Sequence, residues 1–318
     1  MQQQVEQFNS KILLFGEYAV LHNGMALVIP CEKFHGHFEF YQGGSNEEQA
    51  VALQSNEYLR KFCAFVSSRM DEKFVLEVKK FEAELEQGLF FRSNIPQGYG
   101  LGSSGALVAA MVLRYLVKAK NIKDEVKLQT YLKLKDLKKN LGNLESFFHG
   151  TSSGIDPLSS ILNEPILCKN ANEIVTTTLP LTAPDKQNVI FLLDTKQERT
   201  TTKMMALFNE LLGKEEFKNK FDKYVIENNN GAIQSFLDND NKRFYEVVNE
   251  LSAFQINYMK DFFPESLHKD VQKGLDNGDY FLKLCGAGGG GFVLGFTQNW
   301  EQTKEQLNNY ELEEIYRF

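Results

Sequence analysis

The sequence predicts an α+β fold with two domains, and three observations carry this. Strand-like and helix-like segments follow one another without the regular strand-helix alternation of a doubly wound parallel sheet. The chain has 318 residues, enough for one large domain or two medium ones. Around Pro180–Lys186 it turns polar and proline-containing, so a boundary there gives an N-terminal domain of residues 1–182 and a C-terminal one of 183–318.

The elements follow in order. Residues 11–15 form a short apolar run that reads as a strand, broken by Gly16-Glu17-Tyr18. Met25 to Ile29 reads as a second strand, stopped by Pro30, and the alternating residues 34–41 as a half-exposed third. Residues 56–70 place Tyr58, Phe62, Phe65 and Val66 on one face of a helix. Segments 74–78 and 88–93 read as strands, Gly105 to Lys118 as an apolar helix, and 125–148 as a further helix. A Gly/Ser loop at 150–154 leads to a short helix after Asp156. Val189 to Leu193 is a strand, and 198–262 is mostly helical with a break at Asn228–Gly231. Tyr280 to Leu284 and Phe292 to Phe296 are two strands separated by glycines.

Composition narrows the function. A net charge of −7 argues against non-specific nucleic-acid binding, so the search is for a pocket with local donors rather than a basic face. The longest apolar runs fall short of the ~20 residues of a membrane helix, and the polar start Met1–Gln7 does not resemble a secretion signal. A cytoplasmic protein with no membrane partner is therefore expected. Cys31, Cys63, Cys168 and Cys285 are scattered without a C-x-x-C pair and read as buried free thiols.

Four elements bear on chemistry. The first is Pro96-x-Gly98-x-Gly100-Leu101-Gly102-Ser103-Ser104, leading into an apolar helix. Glycines let backbone approach a ligand, and a helix start offers free N–H groups and a positive dipole end to phosphate. The serines are candidates to cap the helix, and a hydroxyl there is also a ligand for Mg²⁺. No Gly-Lys-Ser/Thr follows, so this is not a Walker A loop. The second is Gly286-Ala287-Gly288-Gly289-Gly290-Gly291, which is a flexible hairpin tip, or a loop packed against a nucleotide or against the first loop. The third is Glu145 with Asp156 eleven residues on, flanking His149 and a Gly/Ser loop. Phosphoryl transfer uses one carboxylate for Mg²⁺ and often another to orient or deprotonate the hydroxyl. Taken alone, Asp156 also reads as a helix N-cap and His149 as a loop or core histidine. The fourth is Lys11 at the start of the first strand, with Glu17 in the turn after it.

Together these elements resemble the superfamily of galactokinase, homoserine kinase, mevalonate kinase and phosphomevalonate kinase (the GHMP kinases). Lys11 to Leu21 resembles its first motif, Pro96 to Leu107 its phosphate-binding motif, and Leu284 to Gly291 its third. Within it, Glu145, His149-Gly150, Ser153-Gly154-Ile155-Asp156 and Asp194-Thr195-Lys196 to Thr201 are similar to the mevalonate kinases, as is the unbroken Gly288–Gly291 run. Tyr18 stands where that branch has His, and Gly-Glu-Tyr-Ala-Val-Leu looks more like phosphomevalonate kinase.

The resemblance implies an N-terminal ribosomal S5 domain 2-like part, a C-terminal ferredoxin-like α/β sandwich and an active site in the cleft. It implies ATP and Mg²⁺ as cofactors, and ATP-dependent phosphorylation of the 5-hydroxyl of mevalonate in isoprenoid precursor synthesis, by a monomer or homodimer. It makes Asp156 and Lys11 catalytic and makes Ser104 and Glu145 metal ligands. Pro96, Gly98, Gly100, Leu101, Gly102, Ser103, Ser104, Gly286, Gly288 and Gly289 become the nucleotide-binding set. Arg199 or Lys196 would meet the substrate carboxylate, with Glu17, Tyr18, His149 and Thr201 as further substrate-side residues.

Overall fold

A computed structural model of the chain describes residues 6–68, 74–117, 131–170, 173–183, 185–198 and 201–318, with residues 131–134 and 149 in backbone only. In order, its elements are β1 (Phe8–Phe15), β2 (Ala26–Phe40), α1 (Asn46–Ser67), α2 (Val78–Glu86), β3 (Leu89–Ser93), α3 (Ser103–Tyr115), α4 (Tyr131–His149), α5 (Ile155–Leu162), β4 (Ile166–Cys168) and β5 (Ile174–Thr176). They continue as β6 (Val189–Asp194), α6 (Thr201–Leu212), α7 (Glu215–Lys220), a π-helical turn (Phe221–Val225), α8 (Ile226–Leu237), α9 (Asn241–Tyr258) and α10 (His268–Asn277). The chain ends with β7 (Tyr280–Leu284), β8 (Phe292–Thr297), α11 (Trp300–Gln306) and β9 (Glu311–Arg317).

By internal contacts the chain forms two compact units, one of residues 1–11, 30–96 and 101–164, the other of 12–29, 97–100 and 165–318. A cut at residue 182 stands as a proposal for chain-continuous domains; the contact units group 12–29, 97–100 and 165–182 with the C-terminal part.

In the first unit, β2 and β3 pair antiparallel from Gly36↔Ser93 to Phe40↔Leu89. Helix α1 starts ten residues before the periodicity suggests, because Ser45 and Glu48 form a reciprocal capping box at its N-terminus. Its apolar face buries Leu59, Phe62, Cys63 and Val66, while Tyr58 stays 43% exposed. Helix α3 is buried along almost its whole length, Ala106 to Val112, so its apolar run reflects burial on every side rather than amphipathicity.

In the second unit, β7, β8, β6 and β9 form a four-stranded antiparallel sheet in that order. The chain visits it as strand, helices, strand, strand, helix, strand, which is the ferredoxin-like arrangement. Phe15, Phe236, Phe244, Phe296 and Phe318 pack on one another, with Phe15 stacked on Phe296 at 5.6 Å. The abundant phenylalanine thus builds an interlocked aromatic core.

Several expectations change. Pro30 does not stop β2, which runs on to Phe40; it lies outside both the Ala26–Val28 pairing with β4 and the Gly36–Phe40 pairing with β3. The strand at 74–78 shrinks to isolated bridges at 74 and 76, the latter Leu76↔Leu116, because α2 begins at Val78. Asn228–Gly231 does not break the helix but lies inside α8. Asn229 is buried there and its amide donates to the Met25 carbonyl at 2.8 Å, while Asn230 accepts from the Met25 N–H at 2.8 Å. These tertiary hydrogen bonds outweigh poor helix propensity. The short strands β4 and β5 and the polar β9 carry too little apolar periodicity to be read beforehand. All four cysteines are buried free thiols. No helix among the described residues is long and apolar enough to cross a membrane.

Candidate active site

Four of the chemistry-bearing side chains come together in the first unit. Lys11, in β1, places its ammonium 3.1 Å from the Asp156 carboxylate. The Lys11 N–H donates to the carbonyl of Leu101 at 2.9 Å, which ties the glycine loop to the same strand. Leu101 is buried and anchors the loop. Gly102 then takes the left-handed conformation, φ 75° and ψ 40°, as the N-cap of α3. A Cβ at Gly102 would lie 3.0 Å from the Lys11 side chain and 3.3 Å from an Asp156 carboxylate oxygen. A side chain there would be strained by the backbone and would crowd that pair, so glycine suits both.

Neither serine caps the helix. The cap is Gly102, with no side-chain cap hydrogen bond, so the first-turn amides are left to other acceptors. Ser104 is engaged elsewhere: its hydroxyl donates to Glu145 at 2.9 Å. The other Glu145 oxygen accepts from the Ser152 hydroxyl, and Ser152 in turn accepts the Gly154 N–H at 3.0 Å. Glu145 is only 2% exposed. A buried carboxylate needs such donors or a cation.

Asp156 sits in the first turn of α5 and is not its cap, a place taken by Gly154. Its side chain stays 28% exposed, open enough to meet a ligand. What brings it to Lys11 is Gly105 in α3. A Cβ on Gly105 would lie 2.7 Å from both the backbone carbonyl carbon and the Cβ of Asp156 and 2.8 Å from the Pro157 nitrogen. The two helix starts can approach this closely only across a residue with no side chain.

Pro96, Ser103 and His149 also belong to the first unit, and the second holds the remaining predicted residues. The stretch Gly98–Gly100 belongs to it, and the Tyr99 ring packs edge-on to Phe292 at 4.9 Å. The Tyr99 hydroxyl bonds to Asp194, and burial and that carboxylate push its pKa up. Gly291 lies against Tyr99, where a Cβ would come within 3.0 Å of its Cα. Of the two arrangements open for the second glycine loop, packing against the first loop is therefore present at Tyr99. The loop is further pinned by Gly289 N–H donating to Phe262 at 2.7 Å and Gly291 N–H donating to Gln197 at 2.6 Å.

Tyr18 has a positive φ of 60°. Its hydroxyl donates to the Ala287 carbonyl at 2.6 Å and its ring stacks on Phe208 at 4.1 Å. Glu17 is buried and ion-paired to Lys283 at 2.6 Å, a geometry of support rather than of ligand contact. Burial pushes the Glu17 carboxyl above its ordinary range, against the pull of Lys283 and the Gly286 N–H. Lys196 also has a positive φ, 55°. Its ammonium pairs with Asp194 at 2.9 Å and Glu311 at 2.5 Å, and these partners hold it charged. Thr201 is exposed at the start of α6. Arg199 lies outside the described residues, and the His149 side chain does too.

Sequence reasoning missed Ser152, Tyr99, Lys283 and the packing role of Gly105. Lys283 carried a signal, a lone charge inside the apolar strand Tyr280–Leu284. Ser152 lay inside the Gly/Ser loop at 150–154 without being distinguished from its neighbours, while Tyr99 and Gly105 gain meaning only from partners distant in the chain.

Solved structures of similar fold set this arrangement in context. A mevalonate kinase from L. major, in complex with R-mevalonate, superposes with a TM-score of 0.65 at 15% identity over 99% of this chain and 97% of that one. A galactokinase from Lactococcus lactis complexed with galactose gives 0.63 at 15%, over 99% and 94%. A Streptococcus pneumoniae phosphomevalonate kinase in complex with phosphomevalonate and AMPPNP gives 0.59 at 15%, over 98% and 100%. The chain thus has the two-part α+β fold of the GHMP kinases. Residues 62–164 match the sequence profile of the GHMP kinases N terminal domain. No curated protein matches the sequence at a significant level.

Proposed function

We propose that this protein is an ATP-dependent kinase that phosphorylates the 5-hydroxyl of mevalonate. The observation that carries the kinase reading is the Lys11–Asp156 pair at 3.1 Å, packed against Gly102 at the start of α3. It supplies a carboxylate, an ammonium and a helix N-terminus for phosphate in one compact unit. Asp156 accepts the proton of the substrate hydroxyl. The oxygen bonds to the γ-phosphorus, the bond to the β–γ bridging oxygen breaks, and ADP leaves with that electron pair. Lys11 faces Asp156 and offsets negative charge as it builds on the attacking oxygen. The glycine-loop amides from Gly98 to Ser104 bind phosphate; in the second loop the Gly286 and Gly289 N–H groups already donate to Glu17 and Phe262.

Ser104 and Glu145 fit Mg²⁺ as a donor set, since both offer hard oxygen and Glu145 is a buried carboxylate. They would hold the ion, which neutralises phosphate charge when bound. Among the described residues no three His, Cys, Asp or Glu side chains converge as ligands. Two protein oxygens suffice for an ion that keeps waters and phosphates in its shell. Ser104→Ala is expected to raise the Mg²⁺ concentration for half-maximal rate by about tenfold, in line with the loss of one hydrogen-bonded oxygen ligand. A titration of rate against free Mg²⁺ checks this, and an unchanged midpoint would remove Ser104 from the metal site.

Mevalonate as substrate is supported by the Glu145 to Asp156 segment, by the Lys196-x-x-Arg199-x-Thr201 segment and by the R-mevalonate bound to a structural neighbour. Arg199 or Lys196 is proposed for its carboxylate. Tyr18 favours a second reading, phosphomevalonate kinase. A coupled ADP-release assay with both acids separates them: turnover of mevalonate alone is expected, and preference for phosphomevalonate would overturn the substrate assignment.

A further inference from the structure

Lys283 is the most enclosed charge among the described residues outside the Lys11–Asp156 cluster, with 1% of its side chain exposed. Burying an ammonium is costly unless every donor is satisfied. Here all three are. Its Nζ donates to the Leu14 carbonyl at 3.0 Å, to the Glu17 carboxylate at 2.6 Å and to the Leu284 carbonyl at 2.8 Å. The Phe15 ring lies 5.3 Å from the same nitrogen. Leu14 is near the end of β1, Glu17 is in the turn that follows, and Leu284 ends β7 just before Gly286. Glu17 also accepts the Gly286 N–H, and the neighbouring Tyr18 donates to Ala287. One ammonium therefore joins the exits of two strands and, through Glu17, the first residue of the second glycine loop.

A hydrophobic side chain of similar length would fill this space and avoid the desolvation cost. It would have no means of fixing the direction of three oxygen acceptors. The strand exits need that direction, because beyond them the chain is almost free of side-chain anchors: from Gly286 to Gly291 only Ala287 has a Cβ.

We propose that Lys283 is a positioning residue, whose three hydrogen bonds lock the Gly16–Tyr18 turn and the Gly286–Gly291 loop into the single arrangement that receives the nucleotide. This rests on the reading of that loop as part of the ATP site. Lys283 touches no reacting atom; it acts through the Glu17 carboxylate and the two strand-end carbonyls.

Three variants test it: Glu17→Gln, which keeps size and an acceptor, Lys283→Met, and the double variant. Thermal melting, hydrogen exchange of the 12–18 and 284–292 peptides, and ATP affinity by calorimetry are measured on each. Lys283→Met is expected to melt lower, since it strands a buried carboxylate. The double variant should recover most of that melting temperature, because no unpaired charge remains. Exchange in both peptides is expected to stay at least tenfold faster than in the parent, and the ATP dissociation constant at least tenfold higher. Glu17→Gln should fall between the parent and the double variant and keeps the test open if Lys283→Met fails to fold.

A double variant with parental exchange in both peptides would overturn the positioning role and leave the pair a stabilising contact only. Faster exchange in the double variant of a parent protein that itself binds no ATP would uphold the positioning role and overturn the nucleotide reading instead. Faster exchange with unchanged ATP affinity, in a protein that does bind ATP, would overturn the link between the lock and the nucleotide.

Discussion

Asp156→Asn is expected to lower kcat by about 10³-fold, within the usual range for loss of a positioned general base and equivalent to about 4 kcal/mol of barrier. Asparagine keeps the size of the side chain and can still accept a hydrogen bond from Lys11, so α5 and its contact with α3 should persist. The melting temperature should move little and ATP affinity should hold within a few-fold. Single-turnover rates at saturating ATP and substrate provide the measurement. Retention of near-parental kcat would mean that the hydroxyl proton goes elsewhere. A variant that loses ATP binding as well would place Asp156 on the nucleotide rather than on the acceptor.

On the proposed function, Gly105→Ala is expected to lower kinase activity strongly without touching a charge. In an isolated helix this change helps by about 1 kcal/mol. Here the added methyl would sit 2.7 Å from the Asp156 backbone and 2.8 Å from the Pro157 nitrogen, atoms that cannot rotate aside. The helix starts must separate, with a net loss of about 1–3 kcal/mol by overpacking. The carboxylate then moves away from Lys11, and an error near 1 Å at a reacting group is worth up to about 10²-fold in rate. Denaturant unfolding and kcat measured together decide it. A more stable and fully active Gly105→Ala protein would show that α3 and α5 do not need this close approach. The pair of variants separates the chemistry of Asp156 from its placement.

Much of the site was legible along the chain. The run Gly98 to Ser104 ahead of an apolar helix reads as a candidate phosphate loop because several small residues and a helix start are needed together, and these are local features. Lys11, Glu145 and Asp156 were recognisable as residue types set in motifs. The role of Ser104 was half legible: as a hydroxyl in the first turn it reads equally as a cap or as a ligand. Its hydrogen bond to Glu145, 41 residues away, decides against the cap. Asp156 likewise reads as an N-cap until Gly154 is seen in the left-handed conformation that takes the cap itself.

Other features were misread for the same reason. Asn228–Gly231 has the composition of a turn, yet two hydrogen bonds to Met25 hold it in α8. Pro30 reads as a strand end, yet β2 continues through it to Phe40, where it pairs with β3. The resemblance made Glu17 a substrate-side residue, and what the chain could not show is its burial against Lys283.

By itself, the sequence determined the class of fold, the glycine loops and the residue types that suit phosphoryl transfer, since periodicity, helix starts and small-residue runs are properties of neighbours in the chain. Only the tertiary structure decided which of those residues meet. The Lys11–Asp156, Ser104–Glu145 and Lys283–Glu17 pairs each join residues far apart in sequence, and burial supplies the reason they must pair. A charge or hydroxyl out of water has to find a partner, and which partner is within reach is settled by how the elements pack.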